Sequence, residues 1–179
     1  MRYDVIYADP PWEYYNYNHS KAKRGQLKEY PLMTLDEICQ MPVKNISSKN
    51  CILFLWATWP YLPESIQVIK SWGFEYYSIG FIWIKTNSKS GTVFWGMGNY
   101  TRSNSEPCLI GIKGKPKRIS ASVHSVIHHP RSKHSTKPDI IRDKIVELMG
   151  DVPKIELFAR QEVDGWSNFG IDTGNLILE

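Results

Sequence analysis

The sequence predicts an α/β fold in which a largely buried sheet carries helices on both faces, and three observations predict it. Five apolar runs bounded by breakers, residues 3–8, 51–58, 76–85, 108–113 and 154–158, read as strands, several too continuous for a sheet with one wet face. Segments with the spacing of amphipathic helices lie between them. The 179 residues, 42% hydrophobic, supply one substantial core and little for a second, so a single domain over 1–179 is expected.

In chain order, the first strand runs directly into Asp9-Pro10-Pro11-Trp12. Residues 13–30, rich in Tyr, Asn and Lys, read as a long loop. Thr34 and Glu37 have the spacing of a capping box and open a helix. After the strand 51–58, Pro63 suits a helical first turn, Leu62, Ile66, Ile69 and Trp72 share a face, and Gly73 ends it. Residues 86–105, rich in Gly, Asn and aromatics, form a second long loop. The stretch 91–98 is no nucleotide-binding glycine fingerprint because no helix follows it, and it reads as a mobile aromatic loop over a substrate. The last helix has Pro138 in its first turn, Ile141, Ile145, Leu148 and Met149 as its buried stripe, and Gly150 as its stop.

The formal net charge is +4, and its distribution is uneven. Lys113, Lys115, Lys117, Arg118, Arg131, Lys133, Lys137, Arg142 and Lys144 face only Asp139 and Asp143 over that span, which reads either as a phosphate-facing strip or as an ordinary solvated face. The three cysteines, Cys39, Cys51 and Cys108, are odd in number and well separated, so buried thiols in a reducing compartment, the cytoplasm, are expected. No apolar stretch approaches the ~20 residues of a membrane span, and the N-terminus passes straight into a strand. Neither secretion nor membrane insertion is expected. His124, His128, His129 and His134 cluster in sequence but share no recognisable ligand spacing with Cys or carboxylate, so no metal is expected. They are placed instead in the loop preceding Lys137, near substrate phosphate.

The chemistry rests on Asp9-Pro10-Pro11-Trp12, because open α/β sheets bind ligands at the carboxyl edge of their strands. An exocyclic adenine amine is a poor nucleophile, since its lone pair is delocalised into the ring. A carboxylate and a proline-held carbonyl that accept its two N–H groups draw that lone pair out of conjugation. Trp12 offers a face for a stacked base, worth roughly 1–3 kcal/mol. The bland alternative is a turn with a rim aromatic.

Five segments in order carry a resemblance: Tyr7-Ala8-Asp9-Pro10-Pro11-Trp12, Leu55-Trp56-Ala57-Thr58, Glu106-Pro107-Cys108-Leu109-Ile110-Gly111-Ile112-Lys113-Gly114, His134-Ser135-Thr136-Lys137-Pro138-Asp139 and Lys154-Ile155-Glu156-Leu157-Phe158-Ala159-Arg160. The chain resembles the adenine-N6 methyltransferases with this aspartate motif, the family of the seventy-kilodalton catalytic subunit of the messenger-RNA adenosine methyltransferase and of short bacterial and phage DNA enzymes. The resemblance implies a Rossmann-like S-adenosylmethionine-dependent methyltransferase sheet in permuted, beta-class motif order, with Asp9, Pro10, Pro11 and Trp12 catalytic.

It also implies that Asp9 meets the methionyl ammonium of S-adenosylmethionine, that Lys137, at a helix start, meets its carboxylate, and that Arg160 reaches the ribose. Glu156 is a further cofactor candidate, pointing opposite to its strand neighbours. The alternative for Glu156 and Arg160 is a surface ion pair. Where the family has a Gly-Asn-Gln that holds the cofactor adenine, this chain has Gly170-Ile171-Asp172, leaving Asn168 and Asp172 as substitutes. On the substrate side stand Tyr14, Trp95, Arg102 and Glu106, with Trp56 either a wall of the base pocket or core. Tyr15, Tyr17 and Tyr100 are further stacking candidates, and Lys21, Lys23 and Arg24 neutralise phosphates.

The expected activity is methyl transfer to the N6 amine of adenine in DNA, flipped from its stack or single-stranded. Adenosine in RNA is the close alternative, and a non-catalytic nucleic-acid-binding partner subunit the second. The expected partners are adenine-containing DNA or RNA and, as candidates, a second copy of the chain or a partner subunit.

Overall fold

In the computed structural model, residues 1–13, 32–98, 100–131 and 136–170 are described, and their elements alternate as strands and helices. The strands are β1 (Tyr3–Ala8), β2 (Ser47–Trp56), β3 (Glu75–Thr86), β4 (Ser105–Lys113), β5 (Val126–Pro130), β6 (Lys154–Leu157) and β7 (Ser167–Phe169). The α-helices are α1 (Leu35–Gln40), α2 (Val43–Ile46), α3 (Leu62–Ser71) and α4 (Ile140–Met149). One sheet takes the order β5-β3-β4-β2-β1-β6-β7. β1 is parallel to both neighbours, with Ala8 opposite Leu55 on one side and Leu157 on the other. β4 runs antiparallel to β2 and β3. No helix intervenes between β3 and β4, and strands joined without a crossover pair as a hairpin.

This order puts a topological switch point at β1. Strands formed next lie to one side of it and the last two to the other, which opens a crevice at the carboxyl edge. The reversed β4 adds its first residues to that same edge: Glu106 is opposite Trp83, and Trp56 is opposite Cys108.

Side-chain alternation divides the core between the two faces. Ile6, Ala8, Leu53, Leu55, Leu109, Ile155 and Leu157 pack with Ile38, Val68, Ile69 and Trp72 from the side of α1 and α3. Val5, Tyr7, Ile52, Phe54, Trp56 and Phe81 pack with Ile141, Ile145 and Met149 of α4 on the other. Both faces therefore carry helices, as the continuous apolar strands require. The Thr34–Glu37 capping box forms in both directions. Pro63 lies in the first turn of α3, and α4 stops at Gly150, whose φ of 84° suits glycine. Among the described residues no helix is long and apolar enough to cross a membrane.

Two expectations are corrected. The basic residues of 113–144 do not form one strip: Arg142 is buried, Lys137 turns into the crevice, and Lys113, at the far end of β4, bonds Ser47 Oγ at 2.6 Å. Lys133 lies outside the described residues. Likewise His128 and His129 belong to β5, at the outer edge of the sheet, rather than to the loop before Lys137. His134 lies outside the described residues.

Candidate active site

At the carboxyl edge a cleft is lined by Asp9, Pro10, Pro11, Trp12, Trp56, Ala57, Thr58, Lys137 and Arg160. Three strand ends and the approach to α4 supply them. The turn after β1 is fixed from several sides. Trp12 N–H donates to the Pro10 carbonyl at 2.9 Å, and Met33 N–H to that of Pro11 at 2.9 Å. Tyr61 donates its hydroxyl to the Glu13 carbonyl at 3.2 Å, while its ring lies 6.3 Å from that of Trp12. Each proline carbonyl has two lone pairs, so one remains to receive a ligand donor.

Charge across the cleft is arranged as a chain. Lys137 Nζ lies 2.8 Å from Asp9 Oδ1 and 2.9 Å from Oδ2. It also lies 3.4 Å from Glu106 Oε2, and Glu106 Oε1 is in turn 2.5 Å from Lys85 Nζ. Burial works to raise the Glu106 carboxyl, but Lys137 and Lys85 outweigh it and hold it below the ordinary carboxylate value. The sign follows: a depressed folded pKa contributes stability that is present above the unfolded value, near 4.5, and is lost as pH falls through the folded one. Acid titration followed by circular dichroism is expected to register this loss in the wild type below pH about 4.5 and to miss it in Glu106→Gln. Identical acid limbs would contradict the ion-pair chain.

Beneath Lys137 lies Trp56, whose ring centroid is 5.4 Å from Nζ. Its indole N–H donates to the Tyr7 hydroxyl at 2.7 Å, and burial pushes the Tyr7 phenol well above its ordinary value. A neutral hydroxyl therefore holds the ring. Trp56 is 0% exposed, so both readings of it meet in one residue that belongs to the core and floors the cleft. Trp12, at 4% exposure, is packed into the core beside Tyr61, and the expected open stacking face is not presented.

The remaining candidates divide by place. Glu156 is not at the surface: Arg142 donates to both of its oxygens, at 2.6 and 2.9 Å, across the interface of β6 with α4. Burial pushes the Glu156 carboxyl up against the pull of Arg142. Asn168 pairs opposite Glu156 on β7, beside the cleft rather than in it. Trp95 and Arg102 stand out from the body between β3 and β4, with the guanidinium 5.1 Å from the indole centroid. Tyr14, Tyr15, Tyr17, Lys21, Lys23, Arg24 and Asp172 lie outside the described residues.

Sequence reasoning missed Lys85, Tyr7 and Arg142. Arg142 had a signal, since with Ile145 and Met149 it falls on the apolar stripe of α4, where a charge needs a partner. A larger cavity, of about 620 Å³, lies toward the other edge of the sheet among Ile52, Tyr77, Ile110, Ile112 and Met149. It holds none of the charged chain. The cleft at the carboxyl edge is about 90 Å³ with the Asp9–Lys137 pair across it, below the roughly 300 Å³ of ordinary ligand sites.

The sequence has known relatives. The MT-A70 family model matches residues 3–172, and the chain belongs to the MT-A70 family. It is 36% identical to the type II methyltransferase M.MunI of Mycoplasma sp, over 96% of this chain and 78% of that protein. It is 28% identical to an N(6)-adenosine-methyltransferase MT-A70-like protein of Arabidopsis thaliana, over 94% of this chain but 23% of that one. It is 25% identical to the human N(6)-adenine-specific methyltransferase METTL4, over 94% of this chain and 37% of its length.

Proposed function

We propose that this chain transfers a methyl group from S-adenosylmethionine to the N6 amine of adenine in DNA. The observation that carries the reading is the Asp9 carboxylate, held beside a proline carbonyl at the carboxyl end of the central strand and facing Lys137 across a narrow cleft. Family membership, the type II methyltransferase of Mycoplasma and the human N(6)-adenine-specific methyltransferase support methyl transfer to adenine.

The donor set fits the cofactor. Its amino-acid end is a zwitterion, and the cleft holds its complement: Lys137 for a carboxylate and Asp9 for an ammonium. In this structure the two satisfy each other at 2.8 Å, each standing where the other's ligand charge belongs. Arg160 lines the same cleft and would meet the cofactor's ribose. When bound, the cofactor supplies an electrophilic methyl group on a sulfonium. Asp9 accepts one N–H of the adenine amine and the free lone pair of the Pro10 carbonyl accepts the other, which localises the nitrogen lone pair. The rigid turn holds both acceptors in place, so little reorganisation is needed at the moment of transfer.

Lys137→Ala is expected to weaken cofactor binding about 10- to 100-fold, the equivalent of a charge-assisted hydrogen bond of roughly 1.5–3 kcal/mol. Calorimetry with S-adenosylhomocysteine, which carries the same zwitterion, measures it. Unchanged affinity would reject the assignment. The substrate reading is tested with matched adenine-containing DNA and RNA oligonucleotides: transfer to DNA is expected, and transfer to RNA alone would overturn it.

A further inference from the structure

Between β3 and β4 the chain makes two excursions. The first closes on itself, with Asn87 N–H donating to the Thr92 carbonyl at 2.9 Å and Val93 bridging back to Thr86. Phe94 N–H then bonds the Lys85 carbonyl at 2.8 Å, and Lys85 N–H bonds that of Asn104 at 2.8 Å. A second, narrow loop, described over 95–98 and 100–103, is thereby clamped at its base to the end of β3. Its two arms touch through their backbones. A Cβ at Gly96 would lie 1.9 Å from the Ser103 carbonyl oxygen, and one at Gly98 would lie 2.1 Å from that of Thr101. Only glycine permits this approach.

What this narrow loop carries is apolar and exposed. Met97 is 89% exposed, Tyr100 fully exposed, and Trp95 74% exposed. Exposed apolar groups gathered on one clamped loop mark a contact site. Cations flank the stem: Arg102 lies 5.1 Å from the Trp95 ring centroid and Arg131 3.5 Å from that of Phe94. The base of the stem is also the site, because Lys85 pairs with Glu106, Glu106 with Lys137 and Lys137 with Asp9. Arms of four residues reach on the order of 13 Å from that edge.

We propose that this loop is a wedge that enters the base stack of duplex DNA, Met97 and Tyr100 occupying the gap left by the adenine that turns into the cleft. The inference rests on the activity proposed above. A base in a duplex presents its amine to Asp9 only after leaving the stack, and the cost of extrusion falls when apolar side chains replace the lost stacking. Arg102 and Arg131 suit the phosphates on either side. The wedge is needed for paired DNA and idle on a single strand, and this difference separates it from a general contact surface.

The test uses the full chain with S-adenosylhomocysteine and a duplex carrying 2-aminopurine at the target position, whose fluorescence rises on unstacking. The wild type is expected to raise it. Met97→Ala, which removes no core packing, is expected to abolish the rise and to lower kcat/KM on duplex by about tenfold or more, while single-strand methylation stays within about twofold. Gly96→Ala, which displaces the tip without changing its chemistry, is expected to behave likewise. Equal losses on single and double strands would overturn the wedge, as would undiminished base opening in the tip variant. Loss of a dimer in sedimentation with base opening intact would overturn it too, marking the loop as a protein contact. A wild type that methylates single strands but never opens a duplex overturns the wedge alone. One that methylates neither overturns the activity as well.

Discussion

Asp9→Ala is expected to lower the rate of methyl transfer by at least about 10²–10³-fold, the cost of deleting one preorganised electrostatic partner of a reacting group. The side chain lies at the rim of the cleft, 19% exposed, and supports no core packing. Its removal leaves Lys137 still beside Glu106, at 3.4 Å, so no buried cation is stranded. The thermal midpoint should therefore stay within a few degrees of wild type while single-turnover transfer collapses. Asp9→Asn keeps the shape and loses the charge, and it should lie close to alanine, because a carboxamide is a weaker acceptor and repels one N–H of the amine if it presents its own. Near-normal turnover in either variant would refute the role given to the carboxylate.

Arg142→Ala is expected to be the most destabilising single change at the site. Arg142 and Glu156 are both about nine-tenths buried and joined by two hydrogen bonds, with Asp139 holding the other side of the guanidinium at 2.6 Å. Removing the cation leaves a buried carboxylate beside the equally buried Tyr7, a loss of about 3–5 kcal/mol and a midpoint lower by roughly 10 °C for a chain of this size. The sign with pH is fixed. Without Arg142 the Glu156 carboxyl rises further, protonation in acid relieves it, and the deficit is smallest at low pH and grows toward neutrality. Replacing both residues by methionine should recover most of the stability. A midpoint shift of under about 2 °C at neutral pH would contradict the buried pair.

Much of this architecture is legible in the sequence because burial writes itself as apolar periodicity. The runs at 3–8, 76–85 and 154–158 differ from the observed strands by a residue at most at either end, that at 108–113 starts three residues late, and that at 51–58 starts four residues late and ends two residues late. The segments that escaped notice lack that signal. β5 reads Val-Ile-His-His-Pro and buries only Ile127 fully, while β7 is three half-buried residues. The direction of β4 was within reach, since the glycine-rich stretch before it contains no crossover helix.

At the site, the sequence singled out Asp9, Lys137 and Arg160, which the structure brings to one cleft, because motif order and the helix start are local properties. It misjudged Trp12 and the basic run of 113–144, because which side of an aromatic ring meets solvent, and which lysine points inward, depend on packing between elements far apart in the chain. Lys85 escaped for the same reason: it enters only through Glu106, its neighbour across the β3–β4 pair.

The central claim is that the Asp9 cleft localises the lone pair of one particular nitrogen, and the position of the transferred methyl group tests it most directly. Incubating the full chain with S-adenosylmethionine and DNA containing all four bases, then digesting the DNA to nucleosides for mass spectrometry against authentic standards, should yield N6-methyldeoxyadenosine alone. Methyl groups on cytosine or on a ring nitrogen of adenine, or no methylation at all at saturating cofactor, would contradict it.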